Sequence, residues 1–359
     1  MYLKALQLLN FKNYSQASFD FAPTINGIVG KNGSGKTNLL DAIYYLCLTK
    51  SAFHNTDQAS KKFRESFFVV EGIIEHQEMI FYLHLSFSDH GGKILKINQK
   101  PYSKLSQHIG KFPCVLVTPY DSDLVREGSE VRRRFFDTLL CQINKTYLEQ
   151  LVHYNRLLQQ RNALLKQIGQ HRQYILMLET YDEQLAPLAH FIAHQRAQLI
   201  DEMLPIFLRN YQLISQSQEN ASLSYCSVFQ EEGIFVEIMK KNFQKDLALQ
   251  HTSQGIHRDD FIFEINGNSL RKFASQGQQK SYTLALRLAQ FEILTQKTGI
   301  KPFLLLDDIF DKLDDLRIKQ LMRLISSGKF GQIFITDARP ERTETLFHQE
   351  GLPINIIKI

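Results

Sequence analysis

Residues 25–37 read INGIVGKNGSGKT, and this stretch decides the fold. An apolar run over residues 25–29 leads into the pattern G-x-x-x-x-G-K-[ST] at residues 30–37, and a helical pattern continues to Leu48. A strand, a glycine-rich turn and a helix in this order aim main-chain N–H groups and the positive end of the helix at a bound phosphate. The stretch therefore predicts an α/β domain that binds a nucleotide.

The residue types of this loop suit phosphate chemistry. Glycines let the backbone turn tightly, a lysine adds positive charge at the terminal phosphates, and a hydroxyl can bind Mg²⁺. The residues predicted to act in this way are Gly30, Gly33, Gly35, Lys36 and Thr37. A guanine-binding Asn-Lys-x-Asp element is incomplete, because the pair Asn144-Lys145 lacks the acid two positions later. The predicted ligand is therefore ATP with Mg²⁺.

A second motif lies far along the chain, where PFLLLDD (302–308) is an apolar run that ends in two carboxylates. Such a run predicts a strand beside the phosphate loop, with Asp307 helping Thr37 to hold Mg²⁺ and Asp308 orienting the attacking water. The alternative is a buried strand with an acidic end in solvent. Asp308 is one methylene shorter than the glutamate of fast hydrolases, so we expect slow ATP hydrolysis in which Asp308 and Lys36 are catalytic.

The composition is that of a globular protein. Of 359 residues, 43% are hydrophobic, and 42 Lys+Arg against 37 Asp+Glu leave a net charge of +5. This small surplus allows a nucleic-acid surface but does not require one. The four cysteines lie far apart without a CxxC pair, and no apolar run approaches the ~18 residues of a membrane span. We expect a cytoplasmic protein with reduced thiols and no membrane contact.

The sequence pattern changes twice along the chain, which predicts an interrupted α/β domain. Residues 1–117 read as the first part of an ATPase lobe, with the phosphate loop and a β-meander. Residues 118–250 read as an inserted, mostly helical lobe, and residues 251–359 as the second part of the ATPase lobe. The nucleotide-binding domain is therefore predicted to be built from both ends of the chain.

Individual elements follow from local patterns. Short β-branched and aromatic runs predict an antiparallel meander between Phe67 and Ile97, and Asn266-Gly267 predicts the two-residue turn of a hairpin. The second insertion helix is predicted from Tyr174 to about Leu204, with a break at Pro187. Residues 332–336 are predicted to form the last core strand.

A third motif, ASQGQQKSYTLALRLAQ (274–290), opens a strongly helical run. It resembles the signature motif of ABC-type ATPases, in which Ser-x-Gly-Gln begins a helix whose free N–H groups suit a phosphate. That family sandwiches ATP between two subunits, so the resemblance implies a homodimer in which Ser275, Gly277 and Gln278 act in trans. The alternative is an ordinary serine N-cap.

The resemblance extends over essentially the whole chain. The segments LLNFKNY (8–14), TPYDSDLVREGSEVRRRFFD (118–137), YNRLLQQRNALLK (154–166), GIHRDD (255–260) and LLLDDIFDKLDD (304–315) are similar in order and spacing to the RecF family. RecF proteins are bacterial DNA-gap repair ATPases related to the SMC proteins. The resemblance implies weak, DNA-dependent ATP hydrolysis and cooperation with RecO and RecR to place RecA on gapped DNA in recombinational repair, replication restart and the SOS response to DNA damage.

Single residues are carried over only where they match the family motifs. The whole phosphate loop contacts the nucleotide in the family, which adds Lys31, Asn32 and Ser34 to the predicted contacts. Lys12 stands where the family often has an arginine near the phosphates. Asp314 matches the acid of the D-loop.

The chain also departs from the family pattern. Asp311 replaces the usual D-loop serine, and Phe53 stands near a common arginine. Thr336 lies near the slot where many ABC ATPases carry a switch histidine, and Pro119-Tyr120 occupies the approximate place of a glutamine. These departures bear on contacts across the dimer and on nucleotide affinity.

Positive charge is concentrated in the central segment. The predicted DNA contacts are Arg132, Arg133, Arg134, Arg156 and Arg161. Such a surface neutralises phosphates with little sequence preference. The alternative is that these charges lie on solvated helix faces, and that Arg133 or Arg134 pairs with Asp137. Because no aromatic-interleaved platform is evident, we expect backbone recognition of duplex or junction DNA.

Other function classes remain open at this stage. A transporter ATP subunit would need a membrane partner, and a small-molecule kinase should have an acceptor lid and no signature turn. A structural SMC-like clamp would bind ATP without DNA-stimulated hydrolysis.

Overall fold

The computed structural model describes residues 1–167, 174–216, 219–231, 233–311 and 314–359. The strands are β1 (Tyr2–Phe11), β2 (Tyr14–Asp20), β3 (Ile25–Val29), β4 (Phe67–His76), β5 (Met79–Ser88), β6 (Gly92–Ile97), β7 (Lys100–Pro101), β8 (Cys114–Val117), β9 (Ala221–Cys226), β10 (Asp260–Ile265), β11 (Asn268–Ser269), β12 (Phe303–Leu306), β13 (Ile333–Asp337) and β14 (Asn355–Lys358). The helices are α1 (Lys36–Leu48), α2 (Asp123–Arg126), α3 (Ser129–Ile143), α4 (Lys145–Leu165), α5 (Tyr174–Ser215), α6 (Ile234–Leu249), α7 (Leu270–Phe273), α8 (Gln276–Thr298), α9 (Asp315–Ser326) and α10 (Pro340–Gln349).

The chain divides into two compact units. The first unit contains Met1–Asp121, Asn210–Gln216 and Lys280–Ile359, and the second contains Ser122–Arg209 and Ser217–Gln279. The mixed α/β fold class is thus confirmed, with a nucleotide-type domain built from both chain ends and an inserted, mostly helical lobe. Within the described residues, no helix is both long enough and apolar enough to cross a bilayer.

A parallel sheet forms the centre of the first unit. Its strand order is β14-β3-β13-β12-β8, and every neighbouring pair is parallel. All residues of β3, β8, β12 and β13 are buried, as is expected of strands covered on both faces. The carboxyl ends of β3 and β12, where the phosphate loop and the acidic pair begin, therefore lie at the same edge of the sheet.

An antiparallel sheet and α1 complete the core of the first unit. The second sheet has the order β2-β1-β4-β5-β6-β7, and one face of it shares a hydrophobic cluster with α1 and the parallel sheet. Leu6 of β1, Leu46 of α1 and Phe303 of β12 all belong to this cluster and are fully buried. Because α1 is buried by both sheets, its first turn has a fixed position at the phosphate loop.

The second unit combines helices with a small sheet of order β11-β10-β9. The ring of Phe136 on α3 stacks on Phe261 of β10 with 4.0 Å between centroids. Tyr147 and Tyr154 of α4 are completely buried. Aromatic rings thus supply much of the packing between the helices and the sheet in this unit.

Several predicted elements are confirmed by the structure. The meander corresponds to β4, β5 and β6, which pair in sequence order. The hairpin of β10 and β11 turns at Asn266 and Gly267, which both have positive φ angles, as a two-residue turn requires. The phosphate-loop helix begins at Lys36 and ends at Leu48, where the helical pattern was predicted to end.

Other expectations were wrong. Helix α5 continues through Pro187 and Pro205 to Ser215, because a proline removes one helical hydrogen bond without ending a helix that buries side chains from Leu178 to Ile214. A further strand, β14, follows the predicted last strand and pairs with β3 at the edge of the parallel sheet.

The three functional segments predicted at 1–117, 118–250 and 251–359 stay a prediction. In the division of the chain into compact units, residues 251–279 belong to the second unit, since β10 pairs with β9.

Candidate nucleotide-binding site

The phosphate loop is held between the buried strand β3 and helix α1. The Gly30 N–H donates to the carbonyl oxygen of Asp337 at 3.4 Å, and the Ser34 N–H donates to that of Lys31 at 3.2 Å. Gly35 precedes α1 with φ 115°, in the left-handed region, and a Cβ atom there would lie 2.5 Å from the Asn13 side chain. Only glycine fits this position without strain.

Two side chains of the loop are arranged as a phosphate site requires. Lys36 is 5% exposed, and its Nζ donates to the carbonyl oxygens of Gly30 at 2.9 Å and Lys31 at 3.1 Å, so the ammonium group lies across the loop. The buried Ser34 hydroxyl has no hydrogen-bond partner among the described residues. A cation and an unsatisfied donor beside main-chain N–H groups fit an anionic phosphate.

The acidic pair at the end of β12 meets the loop across an intervening strand. The acidic strand was predicted to lie beside the phosphate loop, and β13 lies between β3 and β12 in the sheet. Asp307 nevertheless accepts hydrogen bonds from the Thr37 hydroxyl at 2.9 and 3.0 Å. The predicted strand therefore ends beside the loop, whereas its place in the sheet order depends on long-range pairing, which the local apolar run does not encode.

Thr336 connects the two acids. Its hydroxyl donates to Asp307 Oδ1 at 2.8 Å and accepts the Asp308 N–H at 2.8 Å. Burial raises the pKa of Asp307, the hydrogen bonds from Thr336 and Thr37 oppose this change, and the nearby Asp308 charge adds to it. A cation bound nearby would therefore stabilise the ionised form of the Asp307 carboxylate.

The donor set fits Mg²⁺. Thr37 and Asp307 bring one hydroxyl and one carboxylate together, and hard oxygen donors are what Mg²⁺ prefers. Across the described parts of the chain, no group of three or more His, Cys, Asp or Glu side chains could hold a metal ion on its own. A Mg²⁺ site here would therefore take its remaining ligands from nucleotide phosphates and water, as is usual for this ion.

The turn between β1 and β2 supports the loop through contacts that the sequence analysis missed. The Asn13 amide donates to the Ser34 carbonyl oxygen at 3.1 Å and accepts from Asn38 at 2.8 Å. The Tyr14 hydroxyl donates to the Gly35 carbonyl oxygen at 3.1 Å. Both residues belong to the segment LLNFKNY, but their 21-residue separation from the loop hides the contact in the sequence.

Lys12 is engaged within the same unit. Its ammonium group pairs with the buried Asp41 carboxylate of α1 at 2.5 Å and lies 5.2 Å from the centroid of the Phe53 ring. Phe53 thus contacts the cation from one side, and the Tyr120 ring packs edge-on against the Phe53 ring with 6.3 Å between centroids. The charge of Lys12 is largely balanced by Asp41 in this structure.

The signature residues lie in the second unit at the start of α8. The Gln278 N–H bonds to the Ser275 hydroxyl at 3.2 Å, and the Ser275 N–H bonds to the Gln278 side chain at 2.6 Å. This reciprocal pair is a capping box. Ser275 is exposed, and Gly277 follows in the first turn of the helix. The Ser275 hydroxyl therefore caps the helix within the single chain, and the role of these residues in trans stays a prediction.

Asp314 has a comparable local role in the first unit. It is the N-cap of α9, and its side chain accepts the Arg317 N–H at 3.0 Å and pairs with the Arg317 guanidinium group. The Asp311 side chain, which replaces the usual D-loop serine, lies outside the described side chains.

Three of the five predicted DNA-binding arginines are engaged inside the second unit. Arg161 is 0% exposed and bonds to Asp182 at 2.6 Å and to Asp246 at 2.9 Å. Arg132 forms a bidentate pair with Asp260 at 2.8 and 2.9 Å. Arg133 donates to the Asp259 carbonyl oxygen and the Ser129 hydroxyl, both at 2.6 Å. These guanidinium groups stabilise the unit.

Asp137 pairs with Arg196, an arginine that the sequence did not single out. Its carboxylate accepts two hydrogen bonds from the buried Arg196 at 2.9 Å each, and one from Tyr147 at 2.5 Å. We call Arg132, Arg161 and Arg196, with their carboxylate partners, the arginine network. Of the predicted DNA contacts, Arg134 and Arg156 have exposed side chains.

The chain is similar to known proteins over nearly its whole length. A family model described as the RecF/RecN/SMC N-terminal domain matches residues 2–352. The DNA replication and repair protein RecF of Flavobacterium johnsoniae is 45% identical over 347 residues, which are 96% of each chain. That of Cytophaga hutchinsonii is also 45% identical, over 97% of this chain and 92% of the relative.

Solved structures agree with this relationship. A structure of the recombination mediator protein RecF-ATPrS in the RecFOR pathway superposes with a TM-score of 0.89 and 30% identity, covering 100% of this chain and 96% of that one. A Pyrococcus furiosus Smc head domain shares the fold, with a TM-score of 0.55 at 16% identity over 99% of this chain and 93% of that one. The chain belongs to the RecF family of the RecF/RecN/SMC proteins.

Proposed function

We propose that this protein binds ATP with Mg²⁺ at the phosphate loop and hydrolyses it slowly as part of DNA repair. The observation that carries the proposal is the convergence of Lys36, Thr37 and Asp307 at one edge of the parallel sheet. Two solved RecF structures with similar folds are described as RecF-ATPrS and RecF-ATP. The same arrangement in this chain favours ATP as its ligand.

Each side chain has a distinct part in this proposal. Lys36 and the loop N–H groups neutralise and orient the phosphates, with Asn32 and Lys31 at the exposed side of the loop. Thr37 and Asp307 hold Mg²⁺, which supplies charge neutralisation at the phosphate oxygens when it is bound. Asp308 orients the attacking water, and its position is set by the bond between its N–H and Thr336.

ATP binding is proposed to join two copies of the chain. In the dimer, Ser275, Gly277 and Gln278 of one copy face the terminal phosphate bound by the other copy, and Asp314 contributes from the D-loop. The exposed helix start at Ser275 supports this role, because the positive end of a helix dipole favours an anion. Since the bound nucleotide would hold the dimer together, slow hydrolysis would act as a timer.

The dimer is proposed to act on DNA. The relatives are DNA replication and repair proteins, and one solved neighbour is a recombination mediator of the RecFOR pathway. By this relationship we infer that the protein binds gapped, junction or duplex DNA in the cytoplasm, with Arg134 and Arg156 contacting phosphates. It would work with RecO and RecR to load RecA in recombinational repair, replication restart and the SOS response.

Light scattering combined with a hydrolysis assay tests this proposal. We expect the mass of the full chain to double with ATP, and ATP hydrolysis to be slow, well below about 1 s⁻¹, and faster with DNA. Lys36→Met should abolish both effects, while Lys301→Met, at an exposed lysine elsewhere in the first unit, should change neither. A monomer in saturating ATP would refute the dimer, and hydrolysis indifferent to DNA would favour another class of ATPase.

A further inference from the structure

An exposed aromatic ring projects from a basic turn of the first unit. Residues 61–66 read KKFRES and precede β4, and we call them the Phe63 turn. Phe63 is 82% exposed, which is the largest exposed fraction of any large hydrophobic side chain in the described residues. The Phe63 turn belongs to none of the phosphate loop, the acidic strand end and the signature motif. A ring placed so far into solvent contributes little to the folding of the unit.

The Phe63 turn is firmly attached to the sheet. The Lys62 N–H donates to the Asn10 carbonyl oxygen at 2.8 Å, and the Asp89 N–H donates to that of Ser66 at 3.0 Å. The Asn10 amide donates to the Glu65 carboxylate at 3.2 Å. Because main-chain and side-chain bonds hold both ends of the turn, the ring is presented in a defined place, and a partner would not have to order it.

One cation lies against the ring, and two lysines precede the ring in the same turn. The Arg64 guanidinium carbon lies 5.3 Å from the Phe63 ring centroid, and no acidic partner for Arg64 occurs in the described part of the chain. Lys62 bonds to the Ser15 hydroxyl, whereas Lys61 is paired with Asp89. Two cations thus keep charge for an anionic partner beside the ring.

A concave surface adjoins the ring. Residues of the Phe63 turn, with Gln58, Ala59 and Asp89, line an open depression of about 570 Å³. Depressions of this size accept a small planar group. An exposed aromatic face, nearby cations and a depression together match the chemistry of a single nucleotide in a strand, which has a flat base and a charged phosphate.

We propose that the Phe63 turn binds an unpaired base of a DNA strand, with the Phe63 ring stacked on the base and with Lys62 and Arg64 on the flanking phosphates. The proposal rests on the proposed DNA-binding function and specifies which DNA is bound. Bases inside a duplex are stacked on their neighbours and cannot stack on a protein ring. The turn would therefore favour gapped or single-stranded DNA over an intact duplex.

Fluorescence anisotropy of the full chain in saturating ATP tests this inference. The two labelled probes are a duplex and the same duplex with a single-stranded gap. Base–aromatic stacking contributes about 1–3 kcal/mol, so Phe63→Ala should weaken binding of the gapped probe about 5- to 150-fold. Binding of the duplex should change less than about 2-fold. Phe63→Trp keeps a stacking ring and should retain preference for the gapped probe.

A second exposed aromatic residue of the first unit, Tyr82, provides the matched control. Tyr82 is 56% exposed on the antiparallel sheet of the same unit, and Tyr82→Ala should leave both affinities unchanged. Equal affinities of Phe63→Ala and the unchanged protein for the gapped probe would overturn the inference and leave DNA binding intact. If Phe63→Ala instead weakened ATP binding and left DNA binding unchanged, the Phe63 ring would be a contact of ATP and not of DNA. Failure of the unchanged protein to bind either probe would refute the proposed function as well.

Discussion

The phosphate loop and the arginine network both place charged side chains among polar groups, but the two regions differ in what those side chains face. At the loop, the Lys36 ammonium group donates to the carbonyl oxygens of Gly30 and Lys31, and the buried Ser34 hydroxyl bonds to no described atom. In the network, Arg161 and Arg196 are shielded from solvent and paired with carboxylates. The loop therefore retains binding capacity for a ligand, whereas the network uses its capacity within the fold.

This difference shows that a run of positively charged residues in a sequence does not by itself predict a binding surface. The triplet at residues 132–134 reads as one basic cluster, yet Arg132 and Arg133 bond inward and Arg134 is exposed. Along a helix, neighbouring residues point in directions about 100° apart. We therefore expect changes in the network to alter stability and changes at the loop to alter binding.

The largest effect is expected from Arg161→Met. The substitution leaves Asp182 and Asp246 buried without their common partner, and breaking a buried pair in this way costs about 3–5 kcal/mol. The measurement is the free energy of unfolding from a urea titration followed by circular dichroism. Arg156→Met, at an exposed arginine on the same helix, should stay within about 0.5 kcal/mol. Similar values for the two variants would remove the distinction between network and surface.

A smaller effect is expected from acid. Burial lowers the pKa of His257 to about 4, although its bond to the Thr252 carbonyl oxygen opposes this change. The unfolded chain takes up the proton near pH 6.5, so stability is complete above that pH and declines as pH falls towards 4. By pH 5 the loss is about 2 kcal/mol. Urea titrations of His257→Gln between pH 7.5 and 5 should show a shallower decline.

The exposed His153 provides the control for this titration. His153→Gln should keep the pH dependence of the unchanged protein. The first unit contains a comparable group, since burial lowers the pKa of His108 to about 4 as well, and His108→Gln should also reduce the decline. An unaltered pH dependence in His257→Gln would show that the buried imidazole of the second unit does not set its acid sensitivity.

The smallest change in stability is expected at the phosphate loop. Tyr14→Phe removes one hydrogen bond to the Gly35 carbonyl oxygen and should cost about 0.5–1.5 kcal/mol. Because that bond supports the loop, affinity for ATP, measured by calorimetry, should fall several-fold. Tyr82→Phe, at an exposed tyrosine, should change neither quantity. A loss of stability without a loss of affinity would show that the β1–β2 turn does not support the site.

Local motifs could be predicted from the sequence because their residues are contiguous. The strand, turn and helix from Ile25 to Leu48 depend on glycines and on an apolar run that lie next to each other. The Asn266-Gly267 turn is predictable for the same reason, since these residues tolerate positive φ. The start of helix α5 at Tyr174 was predicted as well, but its continuation through Pro187 to Ser215 was not, because a proline in the sequence favours a break.

The remaining parts of the site depend on partners far apart in the chain. Asn13 and Tyr14 contact the loop across 21 residues, and Thr37 meets Asp307 across 270. The second pair was predicted because both residues belong to known phosphate-site motifs, whereas amide and tyrosine contacts to a main chain have no such pattern.

The amino-acid order by itself determined the phosphate loop, the acidic strand end and the family, because each depends on residue types at short, fixed spacing. Only the tertiary structure decided that β13 separates β3 from β12, that Thr336 bonds to Asp307 and Asp308, and that Arg161 is buried. These outcomes depend on which distant surfaces pack together, and packing decides whether a charged group faces a ligand or a partner inside the fold.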